Sequence, residues 1–177
     1  MSEPVSKPQS ECRICASEVG DASALSSLAM RSKAFWGYDE TFMDLCRREL
    51  TWSEDEISAT AYDFQSCFIE LELVGFYALE YVGEQRAELE ALFVEPRHIG
   101  AGFGHRMIEH AKERAISRGV TTIVIQGDPH AESFYLASGA LSCGSRESGS
   151  VPGRRLPLFE LHLKQPSENV ESKNDCD

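Results

Sequence analysis

Positive charge is scarce in this chain of 177 residues, with 17 Lys and Arg against 29 Asp and Glu, a net charge of −12 and a pI near 4.9. Such a surface repels phosphate backbones and anionic headgroups, which excludes a general nucleic-acid or anionic-membrane binder. Long apolar runs are missing too, and no stretch approaches the ~20 apolar residues that a membrane helix requires. Residues 1–9, MSEPVSKPQ, lack the basic-then-apolar order of a secretory signal. These absences predict a soluble, cytoplasmic protein.

Cysteine is present without a framework. The six lie at 12, 15, 46, 67, 143 and 176, a spacing that fits no disulfide scaffold, so free thiols are expected. Cys12-Arg13-Ile14-Cys15 has CxxC form, but no second pair or histidine set completes a zinc site, and the stretch reads as a strand with no metal. The 13 Gly and 7 Pro follow no period, which excludes collagen-like and wholly disordered chains.

What is present is the composition of one globular domain, 42% hydrophobic and 26% charged. Polar ends predict flexible tails over 1–10 and 165–177 around a single unit at 11–164. A strand is expected over 11–17. A helix then starts at Asp21 or Ser23 and runs through Leu25, Leu28 and Ala29. A second follows Thr41 with Phe42, Leu45, Cys46 and Leu50 on one face, and Ser53 with Glu56 reads as a capping box. Three strand-like runs come next, at 66–70, 75–81 and 86–94, with an unassigned tight turn at 71–74. Gly104 opens a helix whose face carries Met107, Ile108, Ala111, Ala115 and Ile116, and Gly119 stops it. A buried strand at 121–125, a short helix from Asp128-Pro129 to Gly139 and strands near 140–146 and 156–163 complete the order. The fold class is α/β (α+β) with a mixed sheet.

Chemistry concentrates in residues 92–104, Leu-Phe-Val-Glu-Pro-Arg-His-Ile-Gly-Ala-Gly-Phe-Gly, a strand that enters a helix through a glycine-rich turn. Such a turn presents backbone N–H groups at the positive end of the helix dipole, where a phosphate fits. A P-loop needs a Lys-Ser or Lys-Thr that is absent here, and His105 stands where a dinucleotide fingerprint needs its third glycine. By themselves the glycines also fit a plain strand-to-helix turn.

The Arg-x-x-Gly-x-Gly run of Arg97 to Gly102, after its strand end and followed by Gly104, resembles the pyrophosphate motif of the GNAT superfamily of acyl-CoA-dependent N-acyltransferases. Residues 128–140 resemble that family's N-P-x-A-x-x-F-Y-x-x-x-G-F helix, with Asp128 in place of Asn and Ala140 in place of Phe. The aspartate removes an amide donor that could meet the cofactor. The two segments span about 86–140, and the element order extends the likeness over most of the core. The resemblance implies a mostly antiparallel sheet flanked by helices and splayed between the fourth and fifth strands. Acetyl-CoA would lie in the splay, contacted by Leu92, Phe93, Val94, Arg97, His98, Ile99, Gly100, Ala101, Gly102, Phe103, Gly104 and Tyr135.

The expected activity is direct transfer to a small-molecule or peptide amine by a monomer or homodimer, the alternative being a non-catalytic acyl-CoA-binding or protein-interaction domain. The Leu92 amide would polarise the acyl carbonyl. Glu88 and Glu90, two apart on one strand face, are candidates for the base or a solvent-facing pair. Tyr135 is a candidate acid for the departing thiolate or a structural tyrosine, with Phe134 serving the core. Trp36, Tyr38 and Arg154, in stretches resembling small bacterial members, are acceptor-side candidates. His98, His105 and His110 share no helical face and read as surface or phosphate-adjacent residues. Residues 49–95 hold twelve acids against one base, a net charge of −11, whereas 97–118 carry +3. That asymmetry suits a cationic acceptor beside a polyphosphate, and equally a solvated acidic face.

Overall fold

In the computed structural model, residues 12–165 are described. The expected tails lie outside them except for Gln165, whose side chain donates to the Val120 carbonyl at 2.6 Å. Among the described residues seven strands form one sheet: β1 (Arg13–Ala16), β2 (Tyr62–Ile69), β3 (Glu72–Tyr81), β4 (Arg86–Val94), β5 (Thr122–Gln126), β6 (Leu141–Glu147) and β7 (Arg155–His162). Their spatial order is β1-β2-β3-β4-β5-β7-β6. Every pairing is antiparallel except β4 with β5.

Among the described residues five α-helices flank the sheet: α1 (Ala22–Ala34), α2 (Glu40–Cys46), α3 (Glu54–Ser58), α4 (Phe103–Ser117) and α5 (Glu132–Ala137). One core packs α4 against Tyr77, Leu79, Ala87 and Leu89. The other packs α1, α2 and α3 against Phe64, Phe76, Ala78 and Ala91. In α4, Phe103, Met107, Ile108, Ala111 and Ala115 are buried at the spacing that brings them onto one face. Its end is a Schellman motif, with Val120 N–H to the Ala115 carbonyl and Gly119 N–H to the Ile116 carbonyl.

Several boundaries differ from the sequence reading. Asp39, not Thr41, caps α2 by accepting from Phe42 N–H at 2.8 Å. That helix ends at Cys46, so Leu50 is buried from a turn. The capping box of Ser53 and Glu56 is formed as expected. β2 begins at Tyr62, four residues early, because its buried residues continue through Asp63, Phe64 and Gln65. The unassigned turn is the two-residue link Glu70-Leu71, with Glu70 at φ 53 and Leu71 95% exposed. Neither residue is of the Asn-Gly kind that announces such a link. Cys12 and Ile14 pack toward the α4 core. Cys15 lies three residues from Cys12 along extended chain, hence on the opposite face.

Candidate active site

A cleft opens where β4 and β5 part. Their register holds only from Arg86↔Thr122 to Glu88↔Val124, after which β4 continues unpaired on that side. Opposite β3 the pairing jumps from Leu79↔Leu89 to Ala78↔Ala91, which leaves Glu90 as the extra residue of a bulge. The bulge reverses the alternation. Leu89 belongs to the α4 core, Ala91 to the α1–α3 core, and Leu92 returns to the α4 side. Glu88 and Glu90 both line the resulting cleft of about 600 Å³, together with Leu92, Phe93, Val94, Gly100, Gly102, Gly104 and Tyr135.

At one end of the cleft stands the glycine turn. Gly102 is the N-cap of α4 at φ 90, a left-handed conformation that a side chain opposes. It aims the first amides of α4, at Phe103, Gly104 and His105, out of the helix before any intrahelical acceptor is available. The preceding amides of His98, Ile99 and Ala101 are taken by Glu95, Pro96 and His98 carbonyls within the turn. A diphosphate fits the free amides and the helix dipole, so the residues present suit the phosphates of acetyl-CoA.

Three residues of the turn aim elsewhere. Arg97 reaches Glu72 on β3 at 2.6 Å, Phe103 is buried in the core, and exposed Ala101 offers backbone alone. His98 lines the cleft but its Nε2 is 2.7 Å from Glu72. His105 also lines the cleft, whereas His110 meets the hydroxyl of Tyr77 on β3 at 2.8 Å.

At the other end the wall is acidic, with Glu49, Glu88 and Glu90. The two glutamates of β4 differ in their partners. Arg146 on β6 donates to Glu88 at 2.9 Å. Glu90 is open to the cleft, yet its carboxyl is pushed up to about 7, first by lost hydration and then by the charges of Glu80 and Glu88. A carboxyl in that range exchanges protons near neutrality.

Tyr135 is buried on α5 between Phe134 and Phe159. Gly127 makes room for it, since a Cβ there would lie 2.9 Å from Tyr135 Cε2. Burial raises its phenol above the ordinary value and the charge of Asp128 adds to the effect, so the hydroxyl keeps its proton. The expected division with Phe134 is softer than predicted. Phe134 is only half-buried, packs against the α4 core, and lines the same cleft.

The acceptor-side candidates separate. Trp36 lines the cleft, stacked on His130 with ring centroids 5.2 Å apart and planes 3° from parallel. Tyr38 and Arg154 stand behind the wall, where Arg154 donates to the Tyr38 hydroxyl at 2.8 Å. Both meet Asp128, and so does Lys33 at 2.6 Å. Sequence reasoning did not single out Lys33 or Arg146, because nothing local marks a lysine or arginine whose partner is so distant in the chain.

Among the described residues, no helix is long and apolar enough to cross a membrane, and no group of three or more His, Cys, Asp and Glu side chains is placed to hold a metal.

Similar folds occur among solved structures. The PaiA N-acetyltransferase of Thermoplasma acidophilum, in complex with coenzyme A, is 19% identical, with a TM-score of 0.72 over 86% of this chain and 99% of that one. The ribosomal-protein-S18-alanine N-acetyltransferase of Escherichia coli is 20% identical, with a TM-score of 0.67 over 90% and 99%. The spermidine/spermine N-acetyltransferase SpeG of Vibrio cholerae is 22% identical, with a TM-score of 0.64 over 87% and 94%. No curated protein sequence matches this chain. A family model described as the acetyltransferase (GNAT) family matches residues 27–140. With that match across the splayed sheet, the glycine turn and the α5 segment, the chain belongs to the GNAT family of acetyltransferases.

Proposed function

We propose that the protein transfers the acetyl group of acetyl-CoA to a primary amine by direct attack, in the cytoplasm, as a monomer or homodimer. One observation carries this reading. A single cleft has anion-binding amides at the glycine turn, carboxyls of Glu49, Glu88 and Glu90 at its other end, and Tyr135 in its wall. A polyanionic donor and a cationic acceptor therefore find opposite fields within one cavity.

The chemistry follows from those groups. An ammonium entering past Trp36 is drawn to the acidic end, where Glu90 takes its proton, directly or through water. Glu88, held by Arg146, supplies field rather than proton transfer. The neutral amine attacks the thioester carbonyl and forms the C–N bond. The charge developing on the carbonyl oxygen is met by a strand amide, with Leu92 the assigned donor. As the C–S bond breaks, the sulfur receives a proton from Tyr135, the attacking nitrogen gives its second proton to water, and the amide product leaves with free CoA. Solvent then reprotonates the phenol and takes the proton held by Glu90.

The test is release of CoA thiol from acetyl-CoA with a panel of amines, from alkyl monoamines through spermidine to peptides with a free N-terminus. Thiol release and a mass gain on a cationic amine are expected. Tight acetyl-CoA binding without turnover of any amine supports the non-catalytic binding domain instead. Preferred acceptors that are dianionic and lack a free ammonium remove the charge assignment.

A further inference from the structure

Asp128 occupies the position where the resembling helix motif has asparagine, and its surroundings need a charge. Its carboxylate accepts from Lys33 Nζ at 2.6 Å, on the last turn of α1. It accepts from the Tyr38 hydroxyl at 2.9 Å, on the link between α1 and α2. Arg154, from the loop between β6 and β7, lies 3.7 Å away and donates to the same Tyr38 hydroxyl at 2.8 Å. Oδ1 also takes the backbone N–H of His130 at 2.9 Å, which fixes the turn that leads into α5.

Three segments that cover one end of the cleft are thus joined at the start of the helix bearing Tyr135. Lys33 and Trp36 line the cleft from the first segments, and Gly149 lines it from the β6–β7 loop. The joint is largely dry, with side-chain exposures of 11% for Lys33, 13% for Asp128 and 19% for Arg154. Phe42 closes it, stacked on Tyr38 at 4.1 Å and facing the Arg154 guanidinium at 4.7 Å. Two cations buried in this way need a negative partner, because an uncompensated charge there is far costlier than the intact group. Burial raises the Asp128 carboxyl, but the hydrogen bonds of Lys33 and His130 outweigh it and hold the group below the ordinary carboxylate range.

We propose that Asp128 is a positioning residue, a buried anion that pins α1, the α1–α2 link and the β6–β7 loop over the acceptor end of the cleft. The proposal rests on the acyltransferase reading for what the pinned segments do, though not for the pin itself. An asparagine would keep the hydrogen bond to His130 but give Lys33 and Arg154 no counter-charge. The covering segments would then sample open positions, and the amine would meet a site formed only part of the time.

The experiment is Asp128→Asn, followed by amide hydrogen exchange on the unliganded protein and by steady-state kinetics with the fastest amine of the panel above. Exchange is expected to accelerate about tenfold or more in residues 35–39 and 148–153 while β3 and α4 stay as in the parent, since a local tie is lost and the core is not. Acetyl-CoA affinity should stay within about threefold, while the acceptor KM rises by about tenfold if the competent state falls to a tenth. Unchanged exchange in both segments overturns the pin. A loss confined to kcat at unchanged acceptor KM overturns its positioning role, because a merely destabilised enzyme loses active fraction and not acceptor affinity. Should Asp128→Asn fail to fold, Arg154→Met cuts the β6–β7 tie alone. It should accelerate exchange only at 148–153, and unchanged exchange there likewise overturns the proposal. If no amine in the panel is acetylated, the acyltransferase reading fails while the exchange measurement still decides the pin.

Discussion

Arg146 on β6 holds Glu88 on β4, Nη1 to Oε2 at 2.9 Å, while Glu90 two residues further on has no hydrogen-bonded cation among the described residues. Two carboxyls with the same sequence signature thereby meet different surroundings, one paired with an arginine and the other pushed up in pKa by lost hydration and neighbouring carboxyls. The bulge at Glu90 sharpens the difference by turning Leu92 back toward the α4 core.

The acid limb of the pH profile for the amine follows from this division. Activity of the parent should rise with pH through about 7 as Glu90 ionises. Glu90→Gln should lose that limb and about 10²-fold in rate, the scale of one general base, whereas Glu88→Gln should keep the limb. Full rate with an unshifted limb in both variants leaves water as the only base.

Glu90 also makes a stability prediction of opposite sense to most carboxylates. A raised pKa in the folded protein means that the native state binds the proton more tightly than the unfolded chain, where glutamate titrates near 4.3. Stability conferred by this group is complete below that value and is lost as pH rises toward about 7. Thermal melts should show Glu90→Gln gaining on the parent across that window and holding a constant advantage above it. A difference independent of pH contradicts the raised value.

Tyr135→Phe keeps the ring against Phe159 and removes one proton. Turnover should fall by about 10²-fold with little change in acetyl-CoA affinity, as expected for the loss of one general acid. Unchanged turnover, with chemistry shown to be rate-limiting, assigns the thiolate's proton to solvent.

Gly102→Glu places a side chain and a negative charge at the helix end proposed to hold the diphosphate. The φ of 90 adds strain of about 1–2 kcal/mol, small enough for the fold to survive. Calorimetry should find acetyl-CoA binding nearly abolished in a protein that still melts cooperatively. Unchanged affinity would remove the turn from the cofactor site.

Local pattern made much of the molecule legible. The buried face of α4, the capping box of α3 and the glycine turn are written within one or two helical turns, where periodicity and caps act. The Glu70-Leu71 turn escaped because its residues lack turn chemistry, and the early start of β2 because Asp63 and Gln65 look like surface. In fact both are buried, with Asp63 held by Arg114 at 2.8 Å.

The sequence by itself determined the order of elements, the glycine turn and the candidate acid on α5, since each rests on neighbours in the chain. Which of the twelve acids between 49 and 95 serve the cleft was decided only by tertiary structure. Arg97 engages Glu72, Arg31 engages Glu95, Arg114 engages Asp63 and Arg146 engages Glu88. Asp128 was likewise legible only as a departure from a motif, because its partners Lys33, Tyr38 and Arg154 come from distant parts of the chain. Ion pairing and desolvation depend on separations of a few ångströms in space. A chain that brings residues 95 apart to within 2.6 Å writes those separations in its fold and not in its spacing.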